Sequence, residues 1–144
     1  MRVLILNGPN LNLLSERLTE HYGSLSLEKI QETIVAEFPG HLFEFCQSNH
    51  EGELIDKIQK SANDFDGLVI NPGGYSHTSI SIRDALELCS LPKIEVHISN
   101  LARRENFRQV MLTASSCDGY ITGFREKSYI AAVYLLEKIT SALV

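Results

Sequence analysis

Short apolar runs alternate with longer helix-patterned segments along the whole chain, and this alternation most constrains the fold. The runs read as β-strands at 2–7, 41–47, 67–71, 93–97 and 119–122. Between and after them, helical patterns are predicted at 26–38, 51–65, 78–88, 105–115 and 126–143. The 3.6-residue period is clearest in the second helix. There Leu54, Ile55 and Ile58 share one face while Glu53, Asp56 and Lys57 are polar. Ser26 is placed to cap the first helix, and Thr78 or Ser79 the third. Strands that alternate with helices are joined by right-handed crossovers, which makes the sheet parallel and covers both its faces. Five such units in 144 residues predict a single domain, 1–144, with a flavodoxin-like three-layer α/β/α fold and a five-stranded, doubly wound parallel sheet.

That architecture restricts where function can sit, because ligands of open α/β sheets bind outside the carboxyl ends of the strands. The first four strand ends are Asn7-Gly8-Pro9-Asn10, Gln47-Ser48-Asn49-His50, Asn71 through Ser79, and His97-Ile98-Ser99-Asn100. All are dense in amides, hydroxyls and imidazoles, and only the fifth end, from Gly123, is not. A polar small-molecule site along one sheet edge is the expectation. The connection from Gly8 to Leu25 has no sustained period and carries Asn12, Arg17, His21 and Tyr22. A loop of that length in a compact domain reads as a lid that brings chemistry with it.

Composition removes several classes of partner. A formal net charge of −5 with interspersed signs lacks the basic stripe of a nucleic-acid binder. No apolar run approaches the roughly 20 residues that span a bilayer, so no membrane partner is expected. The opening MRVLILNGPN meets Asn-Gly-Pro-Asn at once and reads as a strand rather than a signal peptide. The three cysteines, Cys46, Cys89 and Cys117, are widely spaced without a CxxC pair. They point to buried thiols in a reducing, cytoplasmic protein.

Neither GxGxxG nor GxxxxGK[ST] occurs, which disfavours the common nucleotide sites. His50, His77 and His97 fall on separate loops without metal-ligand spacing, so no metal and no cofactor are expected. His97 ends a strand with Glu95 two residues earlier on the same face, an arrangement that orders the ring for proton transfer. Taken alone, His97 reads equally well as a hydrogen-bonded core residue. His77 stands among hydroxyls that would fix its tautomer. Asp84 reads either as a solvated helix charge or as a partner of Arg83. Arg104 and Arg108, four apart, would share a helix face, as surface cations or as a carboxylate grip. No strand end carries a lysine, which disfavours an imine mechanism; Lys93 begins its strand at the opposite edge. Two other readings remain: a serine hydrolase using Ser76 or Ser99 without a GxSxG elbow, and a non-catalytic binding module.

The stretches LNGPNLNLL, YGSLSLE, QSNHEGELID, DGLVINPGGYSHTSISIRDAL, IEVHISN and RENFR occur in order over Leu6 to Arg108. In sequence and spacing they resemble the type II 3-dehydroquinate dehydratases. The resemblance implies dehydration of 3-dehydroquinate to 3-dehydroshikimate in the shikimate or quinate pathway, without metal or cofactor, by a homododecamer. Carried over by motif, it implies Tyr22 as the catalytic base and His97 as the acid, with Arg17 and Asn12 supporting them. Asn71, His77, Asp84, the Ile98-Ser99 backbone and Arg108 are implied as substrate contacts. The chain departs from the family pattern at Ser15, Leu18 and Thr19 in the lid, at Ala102, and at Ser128, where a glycine is usual.

Overall fold

A computed structural model describes residues 1–16 and 24–142. Strands β1 (Arg2–Asn7), β2 (Leu42–Gln47), β3 (Gly67–Asn71), β4 (Lys93–His97) and β5 (Gly119–Thr122) form one sheet in the order β2-β1-β3-β4-β5. Every pairing is parallel. The helices are α1 (Leu27–Glu37), α2 (Glu51–Ser61), α3 (Ile80–Leu88) and α4 (Lys127–Ala142).

Strand alternation divides the core into two layers. Val3, Ile5, Val69, Ile94 and Val96 face α1 and α4, meeting Ile30, Ile34, Tyr129, Val133 and Leu136. Leu4, Leu6, Leu68 and Ile70 face α2 and α3, meeting Leu54, Ile58, Ile82 and Leu86. β3 is buried along its whole length and β1 at all but its first residue, as a parallel sheet covered on both faces requires. The predicted three-layer architecture is therefore the observed one.

The helix ends follow local chemistry. Ser26 Oγ accepts from Lys29 N, and Ser79 Oγ accepts from Ile82 N, so each serine satisfies a backbone donor that the first turn leaves unpaired. The third helix accordingly begins at Ile80 rather than 78, behind a 3-10 turn at Gly73–His77. The second stops at Ser61, four residues before the predicted end; Phe65 N turns back to Ser61 O, and Asp66 N to Arg2 O leads into β3.

The predicted helix at 105–115 does not form. The segment makes 3-10 turns at Asn106–Gln109 and Thr113–Ser116 instead. Its apolar Phe107 and Val110 are exposed and supply no buried stripe to hold an α-helix against the sheet. Its polar groups are satisfied elsewhere: Leu112 N donates to Ser76 O, and Val110 O accepts from His77. Tertiary partners outcompete the i→i−4 ladder. The chain thus passes from β4 to β5 without a crossover α-helix.

Candidate active site

The chain leaves β1 for β2 on one side and later returns to β3 on the other, so the strand order reverses between β1 and β3. At that switch point the two strand ends approach too closely for side chains. Gly8 N donates to Asn71 O at 2.7 Å, and a Cβ on Gly8 would stand 2.4 Å from Pro72 O. Gly73 has φ +61, a conformation that glycine adopts without steric cost, and its N donates to Asn71 Oδ1. The β2 end braces this turn rather than lining it. Asn49 Oδ1 accepts from Asn10 N and from Gln47 Nε2, and Gln47 Nε2 also donates to Gly8 O.

Beneath the turn lies a buried amide–phenol chain. Tyr129 OH donates to Asn7 Oδ1 at 2.6 Å and accepts from Asn71 Nδ2 at 3.0 Å. Burial pushes the Tyr129 phenol well above its usual pKa, so it stays a donor at any physiological pH. With Gly73 N on Asn71 Oδ1, this fixes which way the Asn71 amide points. Tyr129→Phe is expected to lower stability by about 1–3 kcal/mol, because both amides lose a partner in a dry site. Thermal unfolding checks it, and an unchanged Tm would contradict the assignment.

His97 Nε2 lies 2.7 Å from Glu95 Oε1, both groups buried. An ionised carboxylate only accepts, so Nε2 carries the hydrogen and Nδ1 is left as the nitrogen that can pass a proton onward. Glu95 Oε2 accepts from Thr113 Oγ1 at 2.6 Å, and Ser76 Oγ stands 3.4 Å from His97 Nε2. A serine nucleophile at Ser76 would need a ring nitrogen free to accept. Nε2 is committed to Glu95, and Ser76 is fully buried. That geometry works against the hydrolase reading.

The second imidazole, His77, is 6.3 Å from the first, centroid to centroid, at 25°. Its Nδ1–H donates to Val110 O at 2.7 Å; the predicted hydroxyl partners are replaced by a backbone carbonyl. Desolvation, then the neighbouring His97 and Arg108, holds His77 below the ordinary histidine range against the opposing pull of Val110. The ring is neutral near pH 7, and Nε2 is an acceptor. Across the pocket, Arg104 Nη1 donates to Ser99 Oγ at 3.0 Å, which leaves the serine hydrogen to donate elsewhere. Arg108 Nε donates to Glu105 Oε2 at 2.8 Å, and Arg104 Nε lies 3.3 Å from the same oxygen.

These groups surround a pocket of about 120 Å³ whose lining includes Asn71, His77, His97, Ile98, Ser99 and Arg108. The ends of β1, β3 and β4 converge on it. The family model for Dehydroquinase class II matches residues 1–137. This chain belongs to the class II dehydroquinases. It is 49% identical over 141 residues to the 3-dehydroquinate dehydratase of Nitratiruptor sp., covering 96% of this chain and 90% of that one. It is 52% identical over 131 residues to that of Carboxydothermus hydrogenoformans, covering 90% and 85%. The crystal structure of the type II dehydroquinase from Butyrivibrio crossotus superposes with a TM-score of 0.92 at 45% identity, covering 95% of this chain and 97% of that one.

In this class II dehydroquinase the expected site residues divide into three groups. Asn71, His77, His97, Ile98, Ser99 and Arg108 meet at the pocket. Asn12 is exposed on the turn Leu11–Glu16, and Asp84 is exposed on α3, paired with Arg83 at 3.0 Å; neither lines the pocket. Arg17 and Tyr22 lie outside the described residues. Arg104 is among the lining residues too, although the helix face predicted to join it to Arg108 does not exist. Tyr129 and Thr113 carry no local signal in the sequence because their partners are remote in the chain, and Ser76, read there only as a possible nucleophile, instead stands beside His97 Nε2. Ser128, singled out only as a departure from the family, accepts from Phe124 N and donates to His97 O, tying the β4 end to the start of α4.

A larger cavity of about 660 Å³ opens between edge strand β2 and α2. Along its wall Glu44 pairs with Lys57, and Glu53 accepts from Ser48. Lys93 Nζ binds Cys89 O and Leu91 O at the opposite edge of the sheet. Among the described residues no three His, Cys, Asp or Glu side chains converge as a metal cluster.

Proposed function

We propose that this chain removes water from 3-dehydroquinate by trans elimination through an enolate, with Tyr22 as the base and His97 as the acid. Membership of the class II dehydroquinases makes it a 3-dehydroquinate dehydratase of the shikimate pathway. The reading of the site is carried by one observation: the buried Glu95–His97 pair at the pocket leaves a single ring nitrogen free to deliver a proton.

The reaction takes a proton α to a ketone and expels a β-hydroxyl. A free tyrosine has a pKa near 10, so a tyrosine base needs a cation beside it, the role assigned to Arg17. As the C–H proton leaves, negative charge grows on the ketone oxygen, where Asn12 donates directly or through water. His97 then protonates the departing hydroxyl, and water leaves. Ser99 Oγ–H with the Ile98 and Ser99 amides takes the carboxylate, and Arg108, Asn71 and His77 grip the ring hydroxyls. Asp84, exposed on α3, completes the set of contacts. No metal, cofactor or imine enters this scheme. The chain acts as one catalytic domain in the cytoplasm, assembled as a dodecamer. Light scattering should give about twelve times the 16.1 kDa chain mass; a fully active monomer would refute that assembly.

Purified protein given 3-dehydroquinate should show the ultraviolet absorbance of the conjugated enone product, with EDTA present or absent. Loss of that signal in Tyr22→Phe supports the tyrosine base, and undiminished turnover would remove it. KM should rise as the pH falls past the lowered titration of His77, on the acid side of the ordinary histidine range, where a second proton turns Nε2 from acceptor into donor. In His77→Gln that rise should vanish, and a persistent rise would assign it to another group.

A further inference from the structure

We propose that Thr113 is a positioning residue for proton transfer: its buried hydroxyl anchors the Glu95 carboxylate, and through that carboxylate it sets how readily His97 gives up its proton. This rests on the reading of His97 as the acid. The chain of contacts is continuous and buried, with Thr113 and Glu95 at 0% exposure and His97 at 5%. Thr113 Oγ1 donates to Oε2 at 2.6 Å while His97 Nε2 donates to Oε1 at 2.7 Å, so each carboxylate oxygen has its own donor.

A hydrogen bond to an anion lowers the anion's appetite for a proton. Thr113 therefore draws charge from Glu95 and loosens its hold on the imidazolium. Without that hydroxyl the carboxylate grips the ring proton harder, and His97 keeps it to higher pH. Thr113 also ends a strap whose other groups organise the same pocket: Val110 O fixes His77, and Leu112 N holds Ser76 O. The stretch 110–113 thus holds His77, Ser76 and the carboxylate that binds His97, which explains why it gives up helical bonding.

The other titratable and charged groups around the pair come from several elements. His77, Arg104 and Arg108 face it across the pocket. Cys117 lies within electrostatic reach of Glu95, with Lys93, Asp118 and Cys89 around that thiol. Tyr120 is the β5 register partner of Glu95, and Glu87 is held by Ser116 in the turn that carries Thr113. All of these remain in Thr113→Val, which keeps the side-chain shape and deletes only the donor.

In Thr113→Val the pH at which kcat falls on the alkaline side should rise by about half a unit or more, with KM changed less than about twofold. Thr113→Ser, which keeps the hydroxyl, should restore the wild-type profile. Histidine-labelled NMR titration of the ligand-free variants reads the His97 ring without turnover, so it decides the proposal even if the substrate assignment fails. The His97 titration should move the same way and by the same amount. An unmoved or downward-shifted alkaline limb and ring titration in Thr113→Val, or a shift that Thr113→Ser fails to reverse, would overturn the proposal.

Discussion

His97→Asn should lower kcat for 3-dehydroquinate by about 100- to 10,000-fold, the usual worth of a positioned general acid. KM should change only a few-fold, because the carboxylate and hydroxyl contacts proposed for Ser99, Arg108 and Asn71 remain. In the proposed mechanism, expulsion of hydroxide from the enolate is the step that would lose its proton source. The Glu95 carboxylate, buried with Thr113 on its other oxygen, keeps one donor and can take a second from the asparagine amide. The variant is therefore expected to fold, and steady-state kinetics beside a thermal melt separate the two effects. A variant with wild-type kcat would show that the hydroxyl leaves without help from this ring.

Gly8→Ala should damage stability and activity together. The new methyl would stand 2.4 Å from Pro72 O and 2.6 Å from Pro72 C, and backbone cannot swing away as a side chain can. Relief requires the β1 and β3 ends to part, which breaks Gly8 N to Asn71 O and drags Asn71 and Gly73 out of place. Overpacking of this kind costs about 1–3 kcal/mol, or roughly 3–12 °C in Tm for a domain of this size. Because the shifted residues line the pocket, kcat/KM should fall more than the melting temperature alone suggests. A variant that melts and turns over like the wild type would mean that the strand ends tolerate separation.

What the sequence makes legible follows from which interactions are local. Strand positions rest on apolar runs, and the runs match the strands to within one residue; only β2 starts later, at Leu42 instead of 41. Helix starts at Ile80 and Leu27 depend on serine caps that act over three residues, and both caps are readable from spacing. The failed helix at 105–115 is the instructive case. Its pattern looked helical, but Val110 O, Leu112 N and Thr113 Oγ1 bind groups 33, 36 and 18 residues away. No periodicity encodes such partners. The candidate site divides along the same line. Glu95 and His97 are two apart on one strand face, so their pairing was visible. Thr113, Ser76 and Tyr129 reach the site only through the folded sheet, and Tyr129 meets Asn7 across 122 residues. Asn12 and Asp84 show the converse: motif alone implied them, and both stand on exposed surface outside the pocket lining.

In the proposed mechanism, 3-dehydroquinate is dehydrated by proton transfer between side chains, with no covalent bond to a lysine. Sodium borohydride added during turnover of 3-dehydroquinate, followed by intact-protein mass measurement, tests it most directly. Proton transfer without an imine leaves the protein mass unchanged and the activity fully retained after the reagent is removed. A stable mass increment of one reduced substrate residue on a lysine, with activity lost in proportion, would contradict it.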